Sequence, residues 1–190
     1  MNDEELIQQF YKSDQEALNV LFTRHKEGLF NFALRLAGNR ADAEDAVSQA
    51  FVAVCERKYQ PRPQASFKTW LYTVARNACL SKFRIQNKIM SLWFKKDADQ
   101  AASIDVMDSS PIAHEQLSQK ETMVIIQQAI AKLPVEQKEA LLLREYHGFS
   151  YEEIAQVLDC SMNKVKILIF RARGMLKDML PPLLLGEDQP

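Results

Sequence analysis

Glycine is scarce in this sequence, five residues in 190, which excludes the turn-dense architecture of most all-β domains and any glycine-rich phosphate loop. Cysteine is equally sparse. Cys55, Cys79 and Cys160 are odd in number, far apart and without metal-type Cys/His spacing, so they read as reduced thiols. The three histidines, His25, His114 and His147, stand beside no nucleophile or ligand partner in sequence, which argues against an enzyme and offers no metal or cofactor set. No apolar run reaches ~18 residues, the length of a membrane span, and the acidic start MNDEELIQQF is unlike a secretory signal. The expectation is a cytoplasmic, non-enzymatic protein with no cofactor, no small-molecule substrate and no direct membrane insertion.

What is present favours helix. Long stretches rich in Ala, Leu, Gln, Glu and Lys predict an all-α fold. From Asp14, apolar residues recur at spacings of three, four and seven as far as Leu36, giving one long helix stopped at Gly38. Asn39 is placed to cap a second helix over Arg40–Lys58, which turns Ala43, Val47, Ala50, Phe51 and Val54 inward and Asp42, Asp45, Ser48 and Gln49 outward. The prolines of YQPRPQAS force a loop, and Ser66 caps a third helix from Phe67 to about Gln86. Its outer face carries Lys68, Arg76, Asn77, Lys82 and Arg84.

Net charge is −1, which speaks against a general nucleic-acid coat, but the charge is sorted into blocks. Residues Phe67 to Lys96 hold seven basic side chains and no acidic one, Asp97 to Ser118 five acidic and no basic, Ser161 to Leu180 five basic and one acidic. Two basic tracts flanking an acidic one suggest two contact surfaces for a polyanion. The helical pattern breaks over about 88–112, read as a flexible linker between two small helical domains, although Met90–Phe94 is too apolar for a free linker and should dock on something.

Beyond the linker, ETMVIIQQAIAKL predicts a helix burying Val124, Ile125 and Ala129, and Val135–Arg144 another with Ala140, Leu141 and Leu143 inside. Ser150 and Glu153 then form a capping box opening a short helix, and after Asp159-Cys160-Ser161 a longer helix runs to about Leu180. Short helix, three-residue turn and longer basic helix make a helix-turn-helix, whose second helix enters the major groove. On that helix Val165, Leu168, Ile169, Ala172 and Leu176 form the buried stripe, while Asn163, Lys164, Ile167, Phe170 and Arg171 fall on or beside the opposite face. Ile167 there would meet a thymine methyl or a protein.

Three segments, DAEDAVSQAF (Asp42–Phe51), FKTWLYTVARNACLSKFR (Phe67–Arg84) and LPVEQKEALLLREYHGFSYEEIAQVLDCSMNKVKILIFRAR (Leu133–Arg173), together resemble the extracytoplasmic-function sigma factors of bacterial RNA polymerase. The resemblance implies a region 2 domain over 1–88, a linker over 89–114 and a region 4 domain over 115–190. It implies a factor that binds core RNA polymerase, directs initiation at particular promoters and is held inactive by an anti-sigma factor. Asp42, Asp45, Ser48 and Gln49 would meet the polymerase clamp. Arg62, Ser66, Lys68, Trp70, Arg76, Asn77, Lys82 and Arg84 would hold the minus-ten promoter DNA. Asn163, Lys164, Lys166, Ile167, Phe170, Arg171 and Arg173 would read the minus-thirty-five element. Ile167 and Leu168 depart from the family's usual small polar residue and Arg, enlarging the apolar surface open to an inhibitor. The competing reading is a helix-turn-helix regulator acting without polymerase, which leaves the acid-free third helix unexplained.

Overall fold

The structure, a computed structural model, describes residues 1–61, 65–94 and 119–181, with side chains described outside 83–94 and 119–120. Eight helices and no strand make up the described residues, in agreement with the all-α expectation. The chain opens with α1 (Asp3–Tyr11), for which the sequence reading made no provision. Asn2 and Glu5 close a reciprocal capping box at its start, and Leu6 and Ile7 go into the core. Helix α2 (Gln15–Ala37) ends as expected at Gly38, whose φ of 79° is open to glycine at no steric cost. Helix α3 (Arg40–Cys55) is capped by Asn39, which accepts from the Asp42 amide. It stops short of Lys58 because Arg57 turns left-handed at φ 56°.

Helix α4 (Phe67–Phe94) starts where Ser66 Oγ accepts from the Thr69 amide at 3.2 Å. Glu4 of α1 accepts from the Phe67 amide at 3.1 Å, setting a carboxylate against the positive end of the helix. The helix continues past Gln86 to Phe94, so the stretch from 88 to 94, expected as the start of a flexible linker, is helical; the side chains of Met90–Phe94 and all of residues 95–118 lie outside the described residues.

The second unit comprises α5 (Gln119–Ala131), α6 (Val135–Glu145), α7 (Tyr151–Leu158) and α8 (Met162–Met179). On α5 the inward residues are Ala129 and Ile130, followed by Leu133, whereas Val124, expected inside, is 50% exposed. Towards the C-terminal end of α5, Gln127, Ile130 and Ala131 face α2. Helix α8 packs across α6 and α7 through Val165, Leu168, Ile169 and Ala172, all buried.

The two units pack together. Helix α4 lies against α7 and α2 against α6, so that Phe32, Tyr72, Leu142 and Phe149 belong to one continuous apolar core. Rings of Phe32 and Tyr72 sit 5.3 Å apart, and those of Tyr72 and Phe149 4.9 Å apart, edge on.

Candidate nucleic-acid interface

The helix-turn-helix has the local chemistry its sequence called for. Ser150 accepts from the Glu153 amide while Glu153 accepts from the Ser150 amide, fixing the start of α7. Asp159 takes the left-handed turn conformation at φ 52°, and Ser161 caps α8 by accepting from the Lys164 amide. With one stripe of α8 buried, Asn163, Lys164, Lys166, Ile167, Phe170, Arg171 and Arg173 are exposed together. Ile167 is 50% and Phe170 79% exposed, so neither packs beneath a neighbouring helix among the described residues.

The cations on this face divide into two kinds. Lys164 Nζ donates to Glu136 at 2.9 Å and Arg173 to Glu145 at 2.6 Å, and these carboxylates raise both pKa values. Among the described residues Lys166 and Arg171 enter no ion pair. They are the two cations that can meet a phosphate without first leaving a partner.

The face of α4 is in a different state. Arg76 donates from Nε and Nη2 to the two carboxylate oxygens of Glu139 on α6, at 3.0 and 3.1 Å, with 15% of the arginine side chain and none of the glutamate exposed. Burial raises the Glu139 carboxyl against the lowering pull of Arg76. Lys68 Nζ donates to the His147 carbonyl at 2.9 Å and lies 4.3 Å above the Phe149 ring. Asn77 is exposed and Ser66 half-buried, its hydroxyl shared with Thr69. Trp70, half-buried, packs 5.3 Å from Tyr59 and 6.1 Å from Phe67, an anchor of the first unit. Tyr59 and Tyr72 are buried too and offer no stacking surface in this arrangement. The side chains of Arg62 and Arg84 lie outside the described residues.

Sequence reasoning missed Glu139. Its signal was its place on the stripe with Leu142 and Leu143, at spacings of three and four, where a lone carboxylate needs a buried cation.

On α3, Asp45, Ser48 and Gln49 are exposed and Asp42 half-buried. Lys82 of α4 donates to Asp42 at 2.7 Å and also to Asp45, linking two groups assigned to polymerase with one assigned to DNA. The Asn39 amide and Lys82 lower the Asp42 pKa, and the carboxylates raise that of Lys82. Beside Ser48, between α2 and α3, opens an apolar groove of about 500 Å³ lined by Phe22, Phe30 and Val47. Phe22, placed inward by its periodicity, is 42% exposed at the mouth of this groove.

Two helical units, the second a helix-turn-helix with a basic outer face, define a DNA-binding protein of the transcription apparatus. The family model for Sigma-70 region 2 matches residues 21–89, and that for Sigma-70, region 4 matches residues 123–176. The chain is 30% identical over 190 residues to the ECF RNA polymerase sigma-E factor of Haemophilus influenzae, covering 97% of this chain and 98% of that one. It is 28% identical over 192 residues to the factor of the same name from Escherichia coli K12, covering 97% of each. Among solved structures, the sigma factor RpoE of Bartonella quintana, in complex with the anti-sigma factor NepR, superposes with a TM-score of 0.65 at 24% identity, over 90% of this chain and 98% of that one. CnrH, in complex with the cytosolic domain of CnrY, gives 0.67 at 22%, over 98% and 99%; both share the fold. The chain belongs to the ECF sigma factors of RNA polymerase.

Proposed function

We propose that residues 1–88 serve as the region 2 domain, which docks on core polymerase and holds the minus-ten element, and 115–190 as the region 4 domain, which reads the minus-thirty-five element. Residues 89–114 link them. The observation that carries this is the pairing, in one chain and in order, of the α3–α4 unit with a helix-turn-helix. A DNA-binding regulator needs only the second. On this reading Lys166 and Arg171 contact phosphates and base edges, Asn163, Ile167 and Phe170 line the reading surface, and Lys164 and Arg173 join once their carboxylates yield. Lys68, Arg76, Asn77 and Lys82, together with Arg62, Ser66 and Arg84, serve the opened strand, and Trp70 positions the α4 face. A cytoplasmic anti-sigma protein covering Ile167 and Phe170 restrains the factor. The exposed apolar pair on a DNA-reading helix supports that partner, as does RpoE of Bartonella quintana, of the same fold and solved with the anti-sigma factor NepR.

Polymerase docking extends from Asp42, Asp45, Ser48 and Gln49 into the groove beside them, because an exposed Phe22 next to polar α3 has the make-up of an interface anchor within a polar rim. Phe22→Asp, at the groove mouth, is expected to weaken binding to core polymerase by about tenfold, the size of one apolar anchor, while leaving helicity unchanged. Titration of fluorescent core with each protein measures it. Equal affinity would move the docking surface off this groove.

A further inference from the structure

Among the described residues, the α4 cations Lys68 and Arg76 are both engaged by the second unit. Glu139 offers Arg76 two oxygens in the planar, two-point geometry with which a guanidinium also takes a phosphate. The His147 carbonyl takes Lys68. Around this pair the seam is closed by Phe32, Tyr72 and Phe149, and Gly28 lets α2 approach so closely that a Cβ there would meet Tyr72 Oη at 2.9 Å.

We propose that the region 4 unit is an internal competitor for single-stranded DNA, with Glu139 standing where a phosphate would stand on Arg76. Resting on the assignment of α4 to the opened strand, this makes the free protein closed: DNA gains α4 only after the Arg76–Glu139 pair separates. The apparent affinity for single strands is then the intrinsic one multiplied by the open fraction.

The seam also carries a pH signature. Tyr72 Oη lies 3.1 Å from His147 Nδ1, and Nε2 is buried with no partner among the described residues. The charges facing the ring are Lys68 of α4 and Arg35 of α2, with Tyr72 the titratable neighbour. Burial, then Lys68 and Arg35, push the His147 pKa from 6.5 down to about 4. A neutral ring can accept from Tyr72 at Nδ1, whereas an imidazolium would set a buried positive charge beside two cations with its Nε2–H still lacking an acceptor. Once open, the histidine titrates near its ordinary value, so below that pH the open form takes up a proton that the closed form refuses. His147 therefore supports closure fully above about pH 6.5 and loses that support as pH falls towards 4. Between pH 7.5 and 5 this shifts the open-to-closed ratio by on the order of tenfold. Glu139, raised by burial, acts in the opposite sense, which makes a His147 variant the necessary control.

The test uses the full chain and a random-sequence, end-labelled single-stranded DNA 20-mer, with small-angle scattering for shape and fluorescence anisotropy for affinity. Glu139→Gln is expected to increase the radius of gyration and tighten DNA binding by about tenfold. Gly28→Ala, which displaces the Tyr72 hydroxyl without touching the ion pair and keeps a helix-favouring residue, should act in the same direction and secures the test if the first variant misfolds. Acidification should open wild type more than His147→Gln. A wild type already as extended as both variants would overturn the closure. Variants that open without gaining DNA would overturn the competition for α4, leaving the sigma assignment to be judged by transcription with polymerase.

Discussion

Replacing Lys166 and Arg171 together by alanine is expected to lower transcription from a cognate promoter by about a hundredfold or more with core binding unchanged. Both side chains are exposed, and neither is in an ion pair among the described residues. Their loss leaves no buried partner stranded, and the stability cost should stay within about 0.5 kcal/mol. Each lost contact to a base edge or phosphate removes ~1–3 kcal/mol from the complex, and two together account for the effect. If both meet phosphates, the salt dependence of binding also falls by about two in slope. Lys164→Ala and Arg173→Ala should each cost less, because those cations give up Glu136 or Glu145 before reaching DNA. Run-off transcription over a salt series measures all three; a double variant with wild-type output would remove α8 from promoter reading.

Phe67→Ala should destabilise the protein by about 3–5 kcal/mol, a large share of the ~5–15 kcal/mol that holds a domain of this kind together. Phe67 is fully buried, its ring 5.3 Å from Tyr59, 6.1 Å from Trp70 and 5.7 Å from His25. It is also the residue at which α4 begins, where its amide donates to Glu4. Its removal leaves a cavity in the first unit and loosens α1 and the start of α4 at once. Urea unfolding followed by circular dichroism gives the value. A loss under about 1 kcal/mol would mean that the ring is dispensable and that α4 is anchored elsewhere.

Local chemistry was legible in the sequence wherever a few consecutive residues decide the conformation. Gly38, Asn39, Ser150 with Glu153, and Asp159 each end or begin a helix where they should, because capping is settled within one turn. The same grammar stands at Asn2 and Glu5, where it opens α1, whereas the Glu4 contact to α4 spans 63 positions and has no local signal. Longer-range placement was less legible. Periodicity puts Val124 and Phe22 on apolar stripes, but whether a stripe is covered depends on how far a neighbouring helix reaches, and both residues stay half in solvent. Arg76 was recognised as an outward cation of an acid-free helix; its carboxylate partner lies 63 positions away, and no local pattern joins them. Lys82 likewise reads as a DNA contact in sequence and as the tie to Asp42 and Asp45 in space.

Initiation is measured most directly by transcription with purified core polymerase on a pool of genomic fragments, with and without this protein. New run-off transcripts that share two upstream elements at a fixed spacing, absent without the protein and lost with the Lys166→Ala/Arg171→Ala variant, are the predicted result. A protein that binds DNA but neither associates with core nor yields any new start site would contradict it.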